Sequence, residues 1–234
     1  MTARDLSGAR VAVVGASGAL GSLLARELAG RGARVLLVGR DARRLADVGL
    51  DGAPTVVVTD IADAAAGESV AEAATEHLGG LDGVVDAAGV VAFGPLVDTP
   101  DAVIEELFLT NVVGPLILLR RLLPMLEESR GFVALVSAVV AERPLPGMVA
   151  YSASKAAMSA VAIALRTELR RARVDVHDIR PPHTETGLAD RPLSGQAPRL
   201  PTGHRPEDVA RRIVDALADG ELDLPAEAFG KPPR

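Results

Sequence analysis

The stretch Val11-Ala12-Val13-Val14-Gly15-Ala16-Ser17-Gly18-Ala19-Leu20-Gly21 decides the fold. Its first four residues are a short continuous apolar run, the pattern of a parallel strand buried on both faces. An amphipathic helix is expected after the small residues, running to about Ala29 and ending at Gly30. A glycine-rich turn between strand and helix brings main-chain N–H groups at a helix N-terminus against a pyrophosphate. Tight turns also ask for glycine, so the glycines gain their weight from standing directly after the first strand. Gly15, Ser17, Gly18, Ala19, Leu20 and Gly21 are therefore candidate contacts to a dinucleotide.

Outward from this turn, Val35-Leu36-Leu37-Val38 is a second strand ending in Gly39-Arg40. The residue about 20 positions after the glycine turn reads the adenosine ribose in such a fold. A carboxylate there accepts from the 2′-hydroxyl of NAD; here Gly39 has no side chain and Arg40 follows. A guanidinium suits a 2′-phosphate, and Ser17 offers a second hydrogen bond, so NADP(H) is expected over NAD(H). The plainer reading is a surface arginine in the basic stretch Arg40-Asp41-Ala42-Arg43-Arg44.

Further strands are expected at Thr55-Val56-Val57-Val58, Gly83-Val84-Val85-Asp86, Phe132-Val133-Ala134-Leu135-Val136, residues 174–179 and residues 221–224. Thr59-Asp60-Ile61 then lies where an adenine edge would sit, and Asp86-Ala87-Ala88-Gly89 makes another small-residue turn. Helices are expected over about 62–78, 101–126, 151–171 and 206–218. Gly114-Pro115 should disturb the second of these close to Asn111. Strands alternate with helices, with no composition break, repeat or linker. The expected class is α/β, a single domain over 1–234 with a doubly wound parallel sheet of six to seven strands and helices on both faces. Residues 187–204, rich in Gly, Pro and Ser, form a loop long enough to cover a substrate.

The chemistry is expected at Tyr151 and Lys155, four apart at the head of an Ala-rich helix and therefore on one face. A phenol titrates near pH ~10, and a neighbouring ammonium favours the phenolate, which suits general acid–base catalysis. A bare Y-x-x-x-K also describes an ordinary helix with an amphipathic tyrosine and a solvated lysine. Against that, Tyr151 is the only tyrosine in the chain and the N-terminal half supplies a nucleotide site.

Composition narrows the classes. Aromatic residues are 2%, too few for base-stacking platforms, and a net charge of −6 gives a nucleic-acid role no electrostatic support. With no cysteine there is neither disulfide nor thiolate metal site, and no metal is expected. The first residues reach a strand before a secretion-signal core could form, and no uninterrupted apolar run approaches the ~18 residues of a membrane span. A cytoplasmic protein without a membrane partner is expected.

In this order and at these intervals, the motifs resemble the short-chain dehydrogenase/reductase family over essentially the whole length. Gly15 and Gly21 match its glycine turn, whose middle glycine falls on Ala19. Asp60 matches the aspartate after strand three, and Asp86-Ala87-Ala88-Gly89 matches its Asn-Asn-Ala-Gly with both asparagines changed. Asn111, Tyr151 and Lys155 match its helix asparagine and Tyr-x-x-x-Lys. Pro181-Pro182 and Thr186 look like its Pro-Gly turn and following Thr.

The resemblance implies a Rossmann-type fold and an NAD(P)-dependent exchange between a carbonyl and an alcohol. It also implies that Tyr151 moves the proton, while Lys155 lowers its pKa and holds the nicotinamide ribose. Asn111 would hold a water chain to Lys155, and Pro181, Pro182, His183, Thr184 and Thr186 would border the carboxamide end of the cofactor. His183 is expected as a pocket or surface residue, not a base. The family's catalytic serine stands thirteen residues before the tyrosine, where this chain has Ala138, with Ser137 beside it. Strand neighbours point to opposite faces, so Ser137 replaces it only through a bulge or shift. The alternative to an enzyme is a catalytically impaired dinucleotide-binding sensor or structural paralogue. Met148, Val149, Leu188 and Leu193 suggest a mainly apolar substrate pocket, and a homodimer or homotetramer is expected.

Overall fold

The apolar runs bounded by glycine turns form the expected parallel sheet. The structure, a computed structural model, describes residues 3–57 and 60–232. Its strands are β1 (Arg10–Val14), β2 (Arg34–Gly39), β3 (Thr55–Val57), β4 (Gly83–Asp86), β5 (Phe132–Val136), β6 (Asp175–Ile179) and β7 (Asp223–Leu224). They stand in the order β3-β2-β1-β4-β5-β6-β7, every pairing parallel. Val58 and Thr59, expected to end β3 and begin its exit, lie outside the described residues.

Both faces are covered, which is why the strands read as unbroken apolar runs. On one face α1 (Ala19–Gly30), α2 (Ala42–Ala46) and α7 (Pro206–Asp219) set Leu24, Leu28, Leu45, Ile213 and Leu217 against Val11, Val13 and Leu37. On the other, α3 (Ala64–Ala73), α5 (Gly114–Ser129) and α6 (Val149–Glu168) set Val70, Leu118, Leu122 and Met158 against Ala12, Val14 and Leu36. Odd and even residues of β1 thus serve opposite faces, the strand period of two. The strand order turns back between β1 and β4, and the crevice outside their carboxyl ends is where such sheets bind ligands.

Several boundaries differ from the sequence reading, three of them for a clear local reason. The short α2 is additional: the Asp41 carboxylate accepts from the N–H groups of Arg43 (2.9 Å) and Arg44 (3.2 Å), an N-cap hidden among charges. The expected helix at 101–126 is α4 (Asp101–Phe108), a π-helical turn at Leu109–Val113 and then α5. Pro115 supplies no N–H to the Asn111 carbonyl four residues back, so the helix widens there. α6 stops at Glu168 rather than Arg171, and the chain reaches β6 through Arg173 at a left-handed φ of 61°. By length and composition the 29-residue run Asp101–Ser129 is apolar enough to cross a membrane, although no uninterrupted apolar run in it does so. In this fold α5 lies on α3 and the sheet.

Residues 187–204 carry no helix or strand, but they are tied down. Thr184 pairs with His204, His204 N–H donates to the His183 carbonyl at 2.8 Å, and Glu185 N–H donates to the His204 carbonyl at 3.0 Å. Midway, the Leu193 N–H reaches the Val91 carbonyl (2.8 Å) and the Phe93 N–H reaches the Ser194 carbonyl (2.9 Å). The loop therefore lies across the segment that leaves β4.

Candidate active site

The glycine turn is shaped by close approach. Gly15 has a φ of 77°, and a β-carbon there would stand 2.7 Å from the Ala88 nitrogen, so the turns after β1 and β4 meet where only glycine fits. Gly18 is the N-cap of α1 and offers no side chain, leaving the first N–H groups of the helix, from Ala19, Leu20 and Gly21, without a side-chain acceptor. An anion is the partner such a terminus favours.

Beside it, Gly39 ends β2 under Ser17, whose Oγ lies 2.8 Å from where a Gly39 β-carbon would be. Arg40 is exposed immediately after. A cleft of about 500 Å³ runs from Ser17, Gly18 and Ala19 across Ser22, Arg26 and Arg44 to Thr186, Gly187, Asp190 and Arg191. The sequence reading named Arg40, which is not among the lining residues, gave Arg44 only as part of a basic surface stretch, and passed over Arg26 and Arg191. Gly18, Ser22 and Arg26 are spaced four apart on α1, a signal that was available; Arg191 joins them only through the fold. An uncapped helix end, a turn shaped for close approach and a cleft rich in arginine fit a dinucleotide phosphate chain.

Asp60 is exposed and its carboxylate accepts from Ala62 N–H at 2.8 Å, while the Ile61 side chain is buried in the core against Gly114. Ile61 therefore offers no side chain to the crevice. At the exit of β4, Ala87 N–H donates to the Val14 carbonyl at 3.0 Å, binding the two turns together.

Tyr151 and Lys155 are both buried on α6, 7% and 5% exposed. Burial raises the Tyr151 phenol to about 12 and lowers the Lys155 ammonium, which the Asp86 carboxylate counteracts. Burial is the cause that acts on the phenol, in the direction opposite to the depression expected from Lys155. Among the described residues Lys155 has one hydrogen-bond acceptor, the Val136 carbonyl at 3.2 Å. Gly89 lies beside it: a β-carbon there would start 3.1 Å from Lys155 Nζ and 3.3 Å from Asn111 Oδ1. Asn111 is buried, and its amide clamps the main chain of Val90 on both sides (2.8 and 3.0 Å) while donating to Ser154 Oγ at 3.0 Å. Its side chain is spent on holding the β4 exit to α6.

Ser137 bonds away from the cluster that holds Tyr151. It is buried, and its Oγ lies among Ser159 Oγ (3.3 Å), the Ile179 carbonyl (3.2 Å) and Asp178 Oδ1 (3.4 Å). Ala138, extended at φ −169°, packs on the cluster of Val91, Phe93, Val140, Met148 and Tyr151. The pleat therefore puts Ala138 on the Tyr151 side and Ser137 away from it. Leu188 packs on the same cluster, whereas Val149 and Leu193 are exposed. The Pro181 carbonyl accepts from Val139 N–H (2.9 Å), joining the β5 exit to the turn after β6. Thr184 Oγ1 donates to the Pro182 carbonyl at 2.8 Å, His183 Nε2 lies 3.5 Å from Glu185 Oε1, and Thr186 faces the glycine turn across the cleft.

Residues 9–196 match the family model of the short chain dehydrogenases. The zebrafish (Danio rerio) protein named Dehydrogenase/reductase SDR family member 7B is 30% identical over 239 residues, covering 94% of this chain and 77% of its own length. Among solved structures, a dehydrogenase/reductase from Sinorhizobium meliloti 1021 superposes with a TM-score of 0.81 at 28% identity, over 97% of this chain and 98% of that one. A short chain dehydrogenase from Burkholderia cenocepacia J2315, solved in complex with NADP, gives 0.84 at 25% identity, over 95% and 90%.

Proposed function

The chain belongs to the short-chain dehydrogenase/reductase family of oxidoreductases, and from that premise we propose an NADP(H)-dependent enzyme that interconverts a carbonyl and an alcohol on a small, mainly apolar substrate. The observation that carries this reading is Tyr151. Its phenol is buried in the cluster of Phe93, Val140 and Met148 on which Leu188 packs, on the same helical face as Lys155. A bound nicotinamide supplies the hydride, which leaves the chain to position the reactants and manage a proton.

Tyr151 Oη gives that proton to the carbonyl oxygen or takes it from the alcohol. The Lys155 ammonium, held by the Val136 carbonyl, would hold the ribose hydroxyls of the cofactor. Asn111 keeps the β4 exit and α6 in register, and Pro181 to Thr186 border the carboxamide. Ser17, Arg40 and Arg44 would receive a 2′-phosphate. The relative solved with NADP supports this cofactor. Cytoplasmic location and assembly as a homodimer or homotetramer belong to the same proposal.

NADPH oxidation against a panel of ketones and aldehydes, run beside Tyr151→Phe, tests it. Turnover that falls by about 10²–10⁴-fold in the variant, with NADPH affinity unchanged, is expected. Turnover indifferent to Tyr151→Phe would refute it. The second reading, a dinucleotide-binding sensor, is favoured by Ala138 and Asp86, and predicts nucleotide binding with no turnover on any carbonyl.

A further inference from the structure

Asp86 is a buried acid that the mechanism above leaves unused. It ends β4, 5% exposed, opposite Val14 of β1 and Leu135 of β5. Among the described residues its carboxylate has one hydrogen-bond donor, the Ala88 N–H at 3.1 Å. Of the charged groups on the elements around it, the one whose field reaches it is Lys155 of α6; Tyr151, on the same helix, stays neutral far above neutral pH. Lys155 in turn has only the neutral Val136 carbonyl as acceptor. The two groups share one buried site, because the Val136 carbonyl that accepts from Lys155 follows Leu135, the β5 partner of Asp86; each has one neutral hydrogen-bond partner among the described residues, and no ion pair joins them. The matching family residue is a neutral asparagine.

An oxidised nicotinamide ring is a cation, and a reduced one is neutral. On the reading proposed above, on which this step rests, the ring enters a pocket that already holds one ammonium. We infer that Asp86 is the counter-ion of this site, and that its carboxylate favours binding of the oxidised cofactor over the reduced one. When Asp86 is protonated, the ring and Lys155 are two cations without an anion, and the bias disappears. Burial raises the Asp86 carboxyl to about 6, with Lys155 opposing, so the change falls within an accessible pH range.

The affinities of NADP⁺ and NADPH are measured by titration from about pH 5 to about pH 7.5, in wild type and Asp86→Asn. The 2′-phosphate titrates in both forms of the cofactor and cancels in the ratio of their dissociation constants. The wild-type ratio is expected to shift about three- to tenfold towards NADP⁺ as pH rises, and the Asp86→Asn ratio to stay flat. A flat wild-type ratio overturns the inference without any variant. A dependence that survives in Asp86→Asn belongs to Lys155 and also overturns it. If neither nucleotide binds wild type, the proposed function fails instead.

A second readout needs no cofactor. A carboxyl raised on folding binds more protons in the native than in the unfolded chain, so its contribution is fully present below the unfolded value and is lost as pH rises through about 6. The unliganded wild type should lose melting temperature across that window more steeply than Asp86→Asn. Parallel melting curves for the two proteins overturn the inference.

Discussion

Ser17 Oγ occupies the space that a side chain on Gly39 would need, 2.8 Å from the position of its β-carbon. The serine and the empty position at the end of β2 are therefore one choice, not two. Arg40→Ala should weaken NADPH binding about 10- to 100-fold and leave NADH binding nearly unchanged, as expected for a charge-assisted contact to a 2′-phosphate. Gly39→Asp should favour NADH only partly, because Ser17 must move; Gly39→Asp with Ser17→Gly should favour it more. Fluorescence titration of both nucleotides decides this, and equal losses for both in Arg40→Ala would count against it.

Ala138 and Ser137 face opposite ways, so their substitutions should separate. Ala138→Ser adds a hydroxyl on the Tyr151 side and should raise turnover on simple ketones. Ser137→Ala should leave turnover nearly intact but cost about 0.5–1.5 kcal/mol of stability, from lost bonding to Ser159, Asp178 and the Ile179 main chain. Steady-state kinetics beside urea unfolding reads both. Activity lost in Ser137→Ala and unaffected by Ala138→Ser would mean that Ser137 is the donor after all.

Arg180, just before the Pro181 turn, holds three carboxylates: Glu142 at 2.6 Å, Asp223 at 2.9 Å, and Asp178. These come from the β5 exit, β7 and β6. Arg180→Met leaves mutually repelling acids, the Asp178 side chain only 2% exposed. The expected cost is about 3–5 kcal/mol, measured by urea unfolding. A loss below 1 kcal/mol would show the cluster to be no more than a surface network.

Val113 and Leu116 of the α4–α5 region and Val149 and Ile163 of α6 are 40–61% exposed. If these apolar side chains meet a second copy, light scattering at micromolar concentration gives a dimer or tetramer, and Ile163→Glu shifts the mass towards the monomer. A monomeric wild type excludes this surface as an assembly interface.

The sheet was legible because β1, β2 and β5 are apolar runs closed by glycine or a polar turn, a pattern that needs no tertiary information. The opposite facing of Ser137 and Ala138 also followed from strand alternation. What escaped depended on neighbours from elsewhere in the chain. Asp41 reads as one more charge until its carboxylate is seen capping α2. Arg26, Arg44 and Arg191 come to one cleft from three separate segments. The expected depression of Tyr151 by Lys155 followed from helical spacing, but Asp86, distant in sequence, already faces that ammonium. Spacing sets who shares a face; it does not set who holds the charge.

The pairing of Thr184 with His204 makes the intervening chain start and finish at one point. A segment closed this way can change in length at little thermodynamic cost, since doubling it adds only about 0.6 kcal/mol of closure entropy. The first part of that stretch, with Thr186, Gly187, Asp190 and Arg191, lines the cleft and is held in place, so length can change freely only beyond the bond between Ser194 and Phe93. One loop therefore serves both ends of the site, divided at that bond: an insertion beyond it leaves the arginine cleft as it is, and an insertion before it does not.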